Sequence, residues 1–68
     1  MNEVQVRFGR KLRSMRTAKG ISQEELAQRS GLHRTYVSSV ERGERNISLA
    51  NIAKLASALA TRMADLMP

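Results

Sequence analysis

Apolar residues recur along this chain in steps of three and four. Val4, Phe8, Leu12 and Met15 form one such stripe and predict an amphipathic first helix. Asn2 is placed to cap it and Gln5 to complete a capping box. Lys19 and Gly20 close it, a cation at the negative end of the helix followed by a glycine stop. Gly9 lies inside this helix, where glycine costs up to about 1 kcal/mol relative to alanine. It is a candidate for close helix contact. Ser22 and Glu25 have the spacing of a second capping box, and Ile21 precedes the cap as a hydrophobic staple does. Leu26 and Ala27 form the apolar edge of that second helix, and Gly31 ends it. A third segment, 34–42, has Val37 and Val40 as its buried side. Ser48 caps a fourth helix, 49–60, with Ile52, Leu55, Ala56 and Leu59 in its stripe. Thr61 is placed to cap a short last helix, 62–67. No stretch alternates with period two, so no strand is expected.

Five helices with short connections predict an all-α, compact domain spanning 1–68. Its expected core is Phe8, Leu12, Met15, Ile21, Leu26, Ala27, Leu32, Val37, Val40, Ile47, Ile52, Leu55, Ala56 and Leu59. A chain of 68 residues buries only about 60% of its unfolded surface. It has no cysteine, so neither a disulfide nor a zinc–thiolate site supports it. Helix packing and self-association must then supply its stability.

The third segment buries little. Its remaining surface carries His33, Arg34, Thr35, Ser38, Ser39 and Arg42, a polar face with no carboxylate until Glu41. So short a helix cannot fold alone; its neighbours must hold it so that this face is presented to something. The net charge of +6 makes nucleic acid or another anionic surface the expected partner. No apolar run approaches the roughly 18 residues of a membrane span, and no signal-peptide core is visible at the N-terminus.

The stretch QEELAQRSGLHRTYVSSVER, from Gln23 to Arg42, resembles the DNA-binding helix-turn-helix of the phage repressor/Cro-like (XRE) family. Gln23, the small Ala27, Gly31 in the turn, Val37 and Val40, and the tail Glu41-Arg42-Gly43 with Arg45-Asn46 carry the likeness. It implies a five-helix fold like that of the lambda repressor, with the motif in the second and third helices. The run HRTYVSSVERGERN looks particularly like the controller proteins of restriction–modification systems. The family implies a sequence-specific transcriptional regulator that binds double-stranded DNA as a homodimer. The third helix would lie in the major groove, with half-sites about 34–36 Å apart.

A reading helix needs side chains that reach base edges from its first turns. Arg34 stands there, and a guanidinium that bonds both O6 and N7 of guanine is worth about 1–3 kcal/mol of discrimination. Thr35 offers a methyl to thymine or a hydroxyl to either kind of base. Ser38 and Ser39 read bases or, being small, let the backbone sit deep in the groove. By resemblance, Arg34, Thr35 and Ser39 fall at base-contacting positions, with Ser38 close behind. Gln23 lies at the first turn of the second helix, whose amides suit a phosphate. Arg42, Arg45 and Asn46 follow the reading helix and are expected on the DNA backbone. His33 begins the helix and touches backbone or base; without a cysteine or carboxylate partner it is a poor metal ligand or catalytic base. Tyr36 either meets the DNA backbone or packs across the junction with the fourth helix. Arg10 and Arg13 are further candidates among the cations of the first helix.

The resemblance also implies an ion pair between Arg16 and Glu41 that holds the reading helix against the first helix. At the C-terminal end, Met63, Leu66 and Met67, with Leu49 or Ala53, are candidates for a dimer surface, although Leu66 suits the core of the domain better. An antitoxin that binds its promoter and a toxin is the alternative, but no toxin-binding segment is visible. A cationic membrane-active peptide built on the first helix would be helical only on anionic lipid. No nucleophile–base pair, metal cluster, phosphate-binding glycine loop or ligand pocket is apparent, so neither an enzyme nor a cofactor is expected. The expected location is the cytoplasm of a bacterium, at the nucleoid.

Overall fold

The computed structural model describes residues 2–68 and holds five helices: α1 Glu3–Ala18, α2 Gln23–Ser30, α3 Arg34–Glu41, α4 Leu49–Ala58 and α5 Met63–Leu66. There is no strand among the described residues. Three helices are capped by side chains that the sequence supplies for that purpose. The Asn2 carboxamide oxygen accepts from the Val4 amide at 2.7 Å, the Ser22 hydroxyl from Glu25 at 3.0 Å, and the Ser48 hydroxyl from Asn51 at 3.2 Å. Gly31 ends α2 in the left-handed conformation, φ +74°, which glycine adopts without steric cost. That single residue redirects the chain from α2 into α3.

Phe8, Leu12, Leu26, Ala27, Val37, Val40, Ile52, Leu55, Ala56, Leu59 and Leu66 form the core. Met15, Ile21, Leu32 and Ile47 pack half-buried at its border. α3 lies between α1 and α2, and α2 also packs on α4. The body measures 26 × 24 × 22 Å.

The structure differs from the sequence expectation at several places, four of them in the path of the chain and the burial of its apolar residues. Val4 is 60% exposed, on an open apolar groove that it lines with Ile47, Leu49 and Met67. α4 stops at Ala58 rather than 60. Ala60 takes φ +54°, and the amides of Ala60 and Thr61 return to the carbonyls of Ser57 and Ala56 at 3.0 and 2.9 Å. This turn carries the chain back so that Leu66 enters the core. α5 is capped at Arg62 rather than Thr61. The Asp65 carboxylate accepts from the Arg62 amide at 3.4 Å and from the Thr61 hydroxyl at 3.0 Å. Finally, Leu66 is fully buried. It seats α5 and has no surface to offer a second chain, so it is removed from the candidate dimer interface.

α1 crosses the end of α3 at very close range. A Cβ on Gly9 would lie 2.4 Å from the Val40 carbonyl oxygen and 2.6 Å from that of Glu41. Only a residue without a side chain fits between the two backbones. Beyond α3, Gly43 turns at φ +76° with Val6 of α1 against it. The end of α3 is thus set on α1 by backbone contact.

Candidate nucleic-acid interface

The same crossing carries the one buried ion pair among the described residues. Arg16 Nε donates to Glu41 Oε2 at 2.6 Å and Nη2 to Oε1 at 3.0 Å, a bidentate pair. The side chains are only 11% and 3% exposed. Arg16 Nη1 also donates to the Ile21 carbonyl at 2.9 Å, which ties the α1–α2 turn into the network. These bonds to Glu41, above all, hold the Arg16 guanidinium above its ordinary range, against the opposing cost of burial. Gln23 completes the arrangement: its side-chain amide donates to Glu41 Oε1 at 3.0 Å. One carboxylate at the last residue of α3 therefore joins α1, α2 and α3. No buried side-chain polar atom among the described residues lacks a partner.

This framework leaves the first turn of α3 free. Arg34 and Thr35 are exposed, and Arg34 takes part in none of the ion pairs. His33 is the exposed N-cap residue, and its side chain makes no capping bond. Ser38, half-buried one turn later, accepts from Arg42 Nη1. Arg42 is also held by Glu44 through two bonds of 3.1 Å. The Arg42 guanidinium correspondingly draws the Glu44 carboxyl below its ordinary range.

Ser39 corrects the sequence expectation. It is buried, and its hydroxyl is committed on both sides. It donates to the Tyr36 carbonyl at 2.8 Å and accepts from Arg45 Nε at 3.1 Å. As placed, the Ser39 hydroxyl fixes Arg45. The Arg45 guanidinium carbon lies 5.7 Å from the centre of the Tyr36 ring, within reach of a cation–π contact. Tyr36 is half-buried, and its hydroxyl accepts from Asn51 Nδ2 of α4 at 3.0 Å. The packing arrangement across the α3–α4 junction is therefore present. Asn46 is exposed in the same connection.

Two participants escaped sequence reasoning. Glu44 sits two residues beyond Arg42, a spacing that could have suggested the pair. Asn51 carries no such signal, because it meets Tyr36 across 15 residues of chain. Elsewhere on the surface, Met63 and Met67 are 37% and 44% exposed, and Leu49 reaches 70%. Val4, Ile47, Leu49 and Met67 line an apolar groove of about 230 Å³. Among the described residues no cluster of histidines and carboxylates could hold a metal. No helix among the described residues is long and apolar enough to cross a membrane.

A packed pair of short helices joined by a glycine turn, with an exposed N-terminal turn on the second, is the arrangement that enters a major groove. The helix-turn-helix family model matches residues 12–66. This chain belongs to the helix-turn-helix family. It is a DNA-binding regulator of transcription, not an enzyme. Control protein C.BamHI of Bacillus amyloliquefaciens is 48% identical over 67 residues, spanning 97% of this chain and 83% of the relative. Control protein C.MunI of Mycoplasma sp. is 43% identical, over 97% of this chain and 90% of its own length. Among solved structures, the restriction-modification controller protein C.AhdI from Aeromonas hydrophila superposes with a TM-score of 0.91 at 59% identity. That match covers 93% of this chain and 96% of the other. These helix-turn-helix relatives are controllers, and the antitoxin alternative finds no support in them.

Proposed function

We propose that this regulator controls a restriction–modification system, binding as a homodimer to a two-fold operator with α3 of each protomer in the major groove. The observation that carries this reading is the contrast within α3. Its C-terminal half is locked by Glu41, while Arg34 and Thr35 at its start are exposed and uncommitted. A rigid helix with free donors at its N-terminal turn suits direct readout.

In this reading Arg34 pairs with a guanine, Thr35 meets a neighbouring base, and Ser38 lets the helix approach. His33, Tyr36, Arg45 and Asn46 contact sugar and phosphate on one side of the groove. Gln23 spends its side-chain amide on Glu41, so its phosphate contact falls to the first backbone amides of α2. Arg42 joins the backbone contacts on exchanging Glu44 for phosphate.

The two-fold pairing rests on Leu49, Val4 and Met67 around the apolar groove, with the exposed Met63 as a further contact. An isologous contact uses the same patch on both protomers. A dimer held by so few side chains is concentration-dependent, which lets the regulator respond to its own accumulation. The whole chain then works as one DNA-binding domain, in the cytoplasm where the operator lies.

Selection of binding sites from random duplex DNA tests the proposal. The expected result is a two-fold motif with half-sites about one helical turn apart. Salt-sensitive binding that enriches no motif would instead mean general affinity for polyanions and would overturn it.

A further inference from the structure

We infer that Asn51, a residue of α4 outside the helix-turn-helix, positions the backbone-contacting side chains Tyr36 and Arg45 before DNA arrives. This inference rests on the reading of α3 given above.

The side chains form a closed relay. Asn51 Nδ2 donates to the Tyr36 hydroxyl at 3.0 Å. The Tyr36 ring faces the Arg45 guanidinium, 5.7 Å from its centre. Arg45 Nε donates to the Ser39 hydroxyl at 3.1 Å, and that hydroxyl returns to the Tyr36 carbonyl at 2.8 Å. Asn51 is itself fixed, since its backbone amide donates to the Ser48 cap of α4 at 3.2 Å. Each long side chain therefore has one orientation set by the next. A tyrosine and an arginine that rotated freely would lose that freedom on binding, an entropic cost that the relay removes in advance.

The chemistry leaves the relay competent for DNA. The Tyr36 hydroxyl accepts from Asn51 and keeps its own proton to donate to a phosphate oxygen. Arg45 uses Nε on Ser39 and keeps its terminal nitrogens for the strand. Asn51 needs no contact with DNA. Its effect passes through Tyr36, which makes it a positioning residue. The relay lies on the backbone-contacting side of α3, away from Arg34, so it governs affinity rather than base choice.

A double-mutant cycle on Asn51→Ala and Tyr36→Phe, measured by titration onto the selected duplex at several salt concentrations, tests this. Asn51→Ala keeps the backbone amide that Ser48 caps, so thermal unfolding should change little. Affinity should fall roughly threefold to tenfold, the range of one hydrogen bond's net worth. The slope of log K against log salt should shallow as the Arg45–phosphate contact loosens, and the preferred motif should stay the same. In the Tyr36→Phe background, which lacks the acceptor, Asn51→Ala should have no further effect. Asn51→Ser, too short to reach the hydroxyl, should reproduce the pattern and serves if the alanine variant folds poorly. Full affinity in the Asn51 variants, or an equal loss with and without the Tyr36 hydroxyl, would overturn the inference. A wild-type protein that selects no motif would overturn the regulator reading itself, a distinct outcome.

Discussion

Two backbone positions show how far single residues set this structure. At Gly9 any side chain would enter the space of two carbonyl oxygens of α3. Neither can retreat without unwinding α3. Gly9→Ala gains helix propensity but should cost a net 1–3 kcal/mol or about that, the usual penalty of overpacking. In a domain of this size each kilocalorie lowers the melting temperature by about 4–8 °C, which circular dichroism resolves. Ala60 is the opposite case. Its φ of +54° costs an L-residue roughly 1–2 kcal/mol. Ala60→Gly relieves that strain and returns part of it as extra entropy of the unfolded chain. A net gain of about 0.5–1 kcal/mol is expected, seen as a melting point higher by a few degrees. A lower melting point would show that Ala60 carries no strain.

At the scale of elements, α3 is held by groups outside itself. Glu41 receives Arg16 from α1 and Gln23 from α2, and with one partner removed the other charge is left buried. Glu41→Ala should therefore destabilise by about 3–5 kcal/mol, against about 0–1 for an exposed pair. An unchanged melting temperature would mean that the packing at Gly9 alone holds α3. Much of this element structure was legible in the sequence, because caps and apolar periodicity are local. Asn2, Ser22 and Ser48 occupy their expected cap positions, and the stripes of α1, α2 and α4 name most of the core. What could not be read depends on distant partners. Ser39 looks on a helical wheel like a groove-facing serine, but the loop that follows brings Arg45 back over it. Asn51 meets Tyr36 only once α4 has folded against α3. For Leu66, which the sequence already suited to the core, what was missing is the route: the turn at Ala60 carries it inward.

For the whole molecule, charge and self-association decide behaviour. The carboxyls of Asp65 and Glu44 titrate below their ordinary values, chiefly because Arg62 and Arg42 bond to them. A carboxylate shifted downward stabilises the fold above its unfolded pKa, and that contribution disappears as pH falls through the folded value. The melting temperature should therefore drop as pH falls below about 4.5. Asp65→Asn should flatten part of that fall, and an identical pH profile in the variant would show that the α5 cap does not contribute. In the proposed dimer, self-association rests on the patch around Leu49. Leu49→Glu buries no charge in the free domain, because the residue is 70% exposed. It should leave thermal stability nearly unchanged while shifting sedimentation toward monomer and weakening binding to a two-fold site. A stable dimer in this variant would place the interface elsewhere.

The most direct test of the regulator reading combines protein and operator substitutions. Wild-type protein and Arg34→Ala are titrated onto the selected operator, and onto versions in which each guanine of a half-site is replaced in turn. The expected result is that Arg34→Ala loses about 1–3 kcal/mol on the intact operator and becomes indifferent to one guanine per half-site, while its other preferences stay as they were. A uniform loss across all these operators would contradict the account, because Arg34 would then be contributing charge and another side chain would be reading the sequence.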